Sequence, residues 1–146
     1  MDLEEAARVL KNISLFSKLE PSKLKLLAFA SDQLIFDDGE VIFGTGDTAD
    51  AAYFIESGKA DVYIEIGEKR VKVNQLGAHD VFGEMALFLS TGRSASVIAN
   101  GDLKVLKLDG NMFLKLVTEN PDAALGVMIA LSEKIVSTSE NLVNST

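Results

Sequence analysis

The sequence contains no cysteine and one histidine, His79. The first absence removes disulfides, thiolate metal sites and cysteine nucleophiles together. The second excludes zinc sites built from several histidines. Long apolar runs are also missing. The longest, Ala123 to Leu131, is about half of the ~20 residues a membrane span needs. The N-terminal MDLEEAARVLKN has no basic start followed by an apolar run, so it does not read as a secretory signal. A soluble, cytoplasmic protein without a membrane span is the expectation. Positive charge is scarce: 14 Lys and Arg stand against 22 Asp and Glu, a net charge of -8. This argues against the chain gripping a nucleic acid backbone or an anionic membrane. What is present is a globular composition, 47% hydrophobic and 25% charged over 146 residues. That length suits one domain, residues 1–146, with enough chain for a real core.

The hydrophobic period changes twice along the chain. Leu3, Ala6, Ala7, Leu10 and Ile13 recur at helical spacing. After a connection from Leu15 to Glu20, Pro21 opens a second helix carrying Leu24, Leu26, Leu27 and Phe29. From about residue 32 the period becomes two. Turn signals interrupt it at Asp38-Gly39, Gly44 to Asp47, Ser57-Gly58, Gly67-Glu68 and Asn100-Gly101. Each is read as the end of a short strand. The helical period returns after Asp109, a predicted N-cap. Asn120-Pro121 breaks that helix, and a last one is predicted from Pro121 to Leu142.

The expected fold class is therefore mainly β with flanking helices. It is an antiparallel jelly-roll β-barrel over 32–109, with N-terminal helices in 1–31 and two C-terminal helices in 110–142. Ala124, Met128, Leu131 and Ile135 form a stripe expected to pack on the barrel or on another copy. His79 reads as a solvated loop residue. Asp37-Asp38-Gly39-Glu40 reads as a turn with acidic flanks, since a calcium loop needs more oxygen ligands at fixed spacing. No metal site is expected.

One stretch, Val81 to Val97, breaks the strand rhythm. Glu84 to Leu89 suits a short helix between two strands. Gly83 before it lets the backbone approach a ligand closely. A helix start offers amides and a positive dipole end to an anion. Arg93 returns nine positions later, where a guanidinium can fork onto two anionic oxygens. Ser94 adds a hydroxyl, and Glu84 could accept hydrogen bonds from a sugar hydroxyl. The combination asks for a ligand with one negative charge and a neighbouring hydroxyl.

The same stretch closely resembles the phosphate-binding cassette of the cyclic nucleotide-binding domain family. That family includes regulatory domains of cAMP-dependent protein kinase, catabolite activator protein and cyclic nucleotide-gated channels. Phe82, Gly83, Glu84, Met85, Ala86 and Leu87 fit its first half, and Arg93, Ser94, Ala95, Ser96 and Val97 its second, with the same spacing. Gly46, Asp50, Tyr53, Ile55, Gly58, Val62 and Leu76-Gly77 fit the upstream pattern. The resemblance implies a short helix in the cassette, residues 82–97. It implies that Arg93 neutralises a cyclic phosphate and that Glu84 holds the ribose 2′-hydroxyl. Backbone amides around Gly83, Met85, Ala86 and Ala95 would complete the phosphate cradle. Val62, Leu76 and Ala86 would line the purine, and the last helix would be a lid. Gly92 replaces the proline usual before the arginine, which implies a looser turn.

The ligand implied is cAMP or cGMP. A hydroxyl at Ser94 can reach guanine in this family, but no further guanine-specific donor is evident, so a modest lean is to cAMP. No cofactor and no catalysis are expected, because no nucleophile–base pair is evident. A cupin-like enzyme would need several metal-binding histidines. The alternative is a non-enzymatic jelly-roll interaction domain that keeps the fold without ligand. The effector domain or partner protein is not legible in these residues.

Overall fold

The computed structural model describes residues 2–13 and 16–145. Ser14 and Leu15, at the start of the expected connection, lie outside the described residues. Helix α1, Leu3–Lys11, starts at Asp2, whose carboxylate accepts the Glu5 amide at 2.8 Å. Glu4 and Glu5 in its first turn and Arg8 and Lys11 in its last suit the helix dipole. It buries Ala6 and Leu10. Helix α2, Pro21–Phe29, opens on its proline and buries Leu24, Leu27 and Ala28. Leu26 and Phe29 point outward, with Phe29 82% exposed.

The strands are β1 (Ser31–Phe36), β2 (Val41–Phe43), β3 (Ala51–Ile66), β4 (Lys69–Leu76), β5 (Val81–Phe82) and β6 (Ser96–Asp109). They form one antiparallel sheet in the order β1-β6-β3-β4, with β2 on β6 and β5 on β3. The fold is mainly antiparallel β with flanking helices, as the sequence predicts, but β1 and β4 end the path without pairing to each other.

Two expected strand ends are instead bulges. β3 runs through Ser57-Gly58 and β6 through Asn100-Gly101. Their pairing begins at Ala51↔Asp109, shifts register around Ser57, and ends at Tyr63↔Ser96. At Gly58, φ is +97°, and a Cβ would sit 2.3 Å from the Asp102 carbonyl oxygen. The glycine therefore lets two backbones meet in mid-strand. It punctuates the strand without ending it.

The first five residues of β3 are all buried. Ala52 and Phe54 join Leu106, Leu108, Phe16 and Phe113 in a cluster beneath the helices. Ala51, Tyr53 and Ile55 join Leu76, Phe82, Val97 and Val105 in a second cluster. Burial on both faces explains why this segment reads as a continuous apolar run.

Helix α3, Met85–Leu89, lies between β5 and β6. Helix α4, Gly110–Glu119, is capped as expected by Asp109, which accepts the Met112 amide at 2.9 Å. Asn120 is extended, at φ −125° and ψ 106°, before Pro121 opens helix α5, Pro121–Ser145. Its side chain donates to the Leu116 carbonyl and accepts from Lys23 Nζ at 3.1 Å. The start of α5 buries Ala123 and Val127; Val127 joins the helical cluster, with Ala124 and Leu131 packed against it. The expected stripe is thus split. Met128 and Ile135 are 59% and 57% exposed, whereas the inward face carries the buried Ala123 and Val127 and, farther along, Lys134, which bonds to Glu84 and Val81. Among the described residues, no helix is long and apolar enough to cross a membrane.

Candidate functional site

Strand β5 sets Phe82 opposite Tyr53, and their rings stack at 5.1 Å. The chain then turns at Gly83 with φ +80°. A Cβ there would lie 2.9 Å from Arg93 Nη1 and 3.2 Å from the Phe43 ring. Glycine is required on both counts: for the backbone angle and for the approach of the arginine.

Arg93 is 4% exposed. Nη1 donates to the Gly83 carbonyl, and Nη2 donates to the Ala51 carbonyl at 2.7 Å. The guanidinium carbon lies 4.1 Å from the Phe43 ring centroid, a cation–π distance. The backbone around it is pinned to the 46–48 turn. Arg93 N donates to Asp47 O and Gly46 N donates to Arg93 O, each at 2.8 Å, and Gly92 bridges to Thr48. These bonds flank the glycine that the sequence suggested would loosen the turn. Among the described residues, Arg93 has no ion pair, and its Nε has no hydrogen-bond partner. Burial pulls the guanidinium below its usual range, while Tyr53, Asp50, Glu84 and Asp47 pull the other way. A buried cation bonded only to neutral carbonyls favours an incoming anion.

Glu84 stands at the N-cap of α3 and is 3% exposed. Its Oε1 accepts Lys134 Nζ of α5 at 2.6 Å. Its Oε2 is buried and, among the described residues, has no partner. Lys134 also donates to the Val81 carbonyl.

These groups border a cavity of about 290 Å³. Gly83, Glu84, Met85, Ala86, Arg93, Ser94 and Ala95 all line it. Phe82, Val62 and Leu76 form apolar wall. Every residue the sequence singled out for the site therefore lies on one cavity. Sequence reasoning missed Phe43 and Asn74, and on α5 Lys134, Ile135, Thr138 and Ser139. One signal could have found Lys134: it is the only Lys or Arg between Pro121 and Ser145.

Two other features stand apart from the cavity. His79 is exposed, with φ 73°, and stacks on Phe54 at 6.0 Å. Two carboxylates of the 37–40 turn bond to backbone: Glu40 accepts the Asp37 amide and Asp38 the Gly101 amide.

Residues 33–120 match the model of the cyclic nucleotide-binding domain. The chain is similar to a cAMP-dependent protein kinase regulatory subunit of Emericella nidulans, 40% identical over 108 residues, which cover 74% of this chain and 26% of the relative. It therefore spans about a quarter of that relative's length. Among solved structures it is similar to the regulatory domain of Toxoplasma gondii PKA with cAMP, at TM-score 0.77 and 28% identity, covering 92% of this chain and 49% of that one. It is also similar to the catabolite activator protein of Thermus thermophilus, at TM-score 0.72 and 29% identity, covering 88% and 61%. A family match over most of the sheet, together with a cassette whose buried arginine and glutamate meet at one cavity, places the chain in the cyclic nucleotide-binding domain family.

Proposed function

We propose that this chain is a cyclic-nucleotide sensing module that binds cAMP in the cassette cavity and passes the event on through α5. Arg93 takes the cyclic phosphate, with amides of the cassette around it. Glu84 takes the ribose 2′-hydroxyl on Oε2. Val62, Leu76 and Ala86 flank the purine. The role is binding and regulation, not catalysis. One observation carries this reading: a buried arginine that, among the described residues, has no carboxylate partner shares a cavity with a buried glutamate whose Oε2 is, among the same residues, unpartnered. Such a pair suits a ligand that joins a single negative charge to a nearby hydroxyl.

Ser94, next to the arginine in the chain, brings a hydroxyl to the same cavity, so cGMP is expected to bind as well, with cAMP modestly preferred. The fungal relative is named for a regulatory role on a protein kinase, and a regulatory output of that kind is proposed here, as is the organisation of residues 1–146 as one such domain. Titration calorimetry with cAMP, cGMP and 5′-AMP tests the reading. Binding of the cyclic nucleotides, with cGMP weaker by no more than about tenfold, is expected. No heat from either cyclic nucleotide would leave a fold-only interaction domain.

A further inference from the structure

Lys134 is the only basic residue of α5, and its charge is directed inward at the cavity. Its side chain is 25% exposed, while that of Glu84 is 4% exposed. Of its three donor protons, one goes to Glu84 Oε1 and one to the Val81 carbonyl. It thus ties α5 to both the strand before the cassette and the head of the cassette helix. A carboxylate buried this deeply needs a compensating charge, and among the described residues Lys134 is the cation bonded to it. Further along α5, Asn141 donates to the Val73 carbonyl of β4, and Val73 also borders the cavity.

We propose that Lys134 is a positioning residue for the ribose: it fixes the Glu84 carboxylate by one oxygen, presents the other to the 2′-hydroxyl, and so couples docking of α5 to ligand binding. This rests on the cyclic-nucleotide reading and names the residue that joins lid to ligand. The lysine and the ribose use different oxygens of one carboxylate. They therefore do not compete, and each favours the geometry the other needs. By linkage, ligand tightens α5 by the factor with which α5 tightens ligand.

The test titrates cAMP and 2′-deoxy-cAMP into wild type, Lys134→Met, Lys134→Arg, Glu84→Gln and the Lys134→Met/Glu84→Gln double variant. Amide exchange over residues 121–141 is followed alongside. Lys134→Met is expected to weaken cAMP by about 5–150-fold, the usual range of coupling, and to shrink the preference for the ribo ligand. Lys134→Arg should restore most of both. In the Glu84→Gln background, Lys134→Met should change the preference little. Nucleotide should protect α5 in wild type and not in Lys134→Met. Should Lys134→Met fail to fold, Lys134→Gln, which keeps a donor and loses the charge, is read in the same way. A folded variant that keeps the wild-type ratio of ribo to deoxy affinity overturns the proposal alone. Wild type that binds neither nucleotide overturns the functional reading and this proposal with it.

Discussion

Of the two elements that border the cavity, the arginine end is built into the sheet, whereas the second half of α5 rests on it by polar contacts. Arg93 is fixed by carbonyls from β3 and from Gly83, by the Phe43 ring, and by backbone bonds to the 46–48 turn. Its surroundings cannot move without disturbing the buried start of β3. α5 differs along its length. Its first two turns bury Ala123 and Val127, whereas farther along Lys134 and Asn141 hold it by hydrogen bonds and Ile135 and Val136 are exposed. Buried apolar contact has no substitute in water, whereas polar contacts can be exchanged for water at small net cost once the segment lifts and water reaches the groups it leaves. On the proposed function, one cavity would therefore have a rigid end that sets affinity and a releasable end that reports it.

The largest expected effect lies at the rigid end. Arg93→Ala should cost about 2–5 kcal/mol of cAMP binding, the range for truncating one partner of a buried charge pair. Calorimetry on the folded variant checks it, and affinity within a factor of two of wild type would break the comparison. Gly83→Ala comes next. The new methyl meets the guanidinium and must adopt a positive φ, a strain of about 1–3 kcal/mol. It should lower both stability and affinity, measured by urea unfolding and titration; a silent substitution would mean the arginine is not confined. A chain ending at Ser132 keeps Ala123, Val127 and Leu131 and removes the releasable half. It should still bind, about tenfold more weakly, or ~1.4 kcal/mol. Loss of all binding would place the lid, not the cassette, at the centre of affinity.

The smallest effect sharpens the comparison by leaving the cavity alone. Burial by itself would raise the Asp61 carboxyl, but hydrogen bonds from Gln75, Lys72 and Asn100 outweigh it and lower the value. A carboxyl lower in the folded than the unfolded chain adds stability above the unfolded value, about 3.9. That stability is lost as pH falls through the folded value. Asp61→Asn should therefore flatten the loss of stability below about pH 4, with cAMP affinity at neutral pH unchanged. Urea unfolding across acid pH would show it, and an unaltered slope would remove Asp61 from the account.

The cassette at the rigid end was legible in the sequence because its residues are local and resemble a known family motif, whereas the contacts that hold Arg93 to Ala51, Phe43 and the 46–48 turn are long-range and were not. Phe82 to Ala95 lie within one stretch, so spacing alone brings Gly83, Glu84 and Arg93 together. The Asp109 cap and the Asn120-Pro121 break were legible for the same reason. The releasable end was not. Lys134 meets a carboxylate 50 positions away and Asn141 a carbonyl 68 positions away, and no periodicity encodes such pairs. On α5 the stripe expected to pack on the barrel or on another copy is divided, Ala124 and Leu131 inward and Met128 and Ile135 exposed, because apolar residues surround this helix and long-range packing sets which of them turn inward. Gly58 was read as a strand end because a glycine looks the same in sequence whether it makes a turn or a bulge.

The most direct test of the central claim is a crystal structure of the chain grown with cAMP. The account predicts the cyclic phosphate within hydrogen-bond distance of Arg93 and the 2′-hydroxyl on Glu84 Oε2, with Lys134 still on Oε1. A nucleotide bound elsewhere, or one in the cavity with Arg93 held only by Gly83 and Ala51 and making no contact to phosphate, would contradict it.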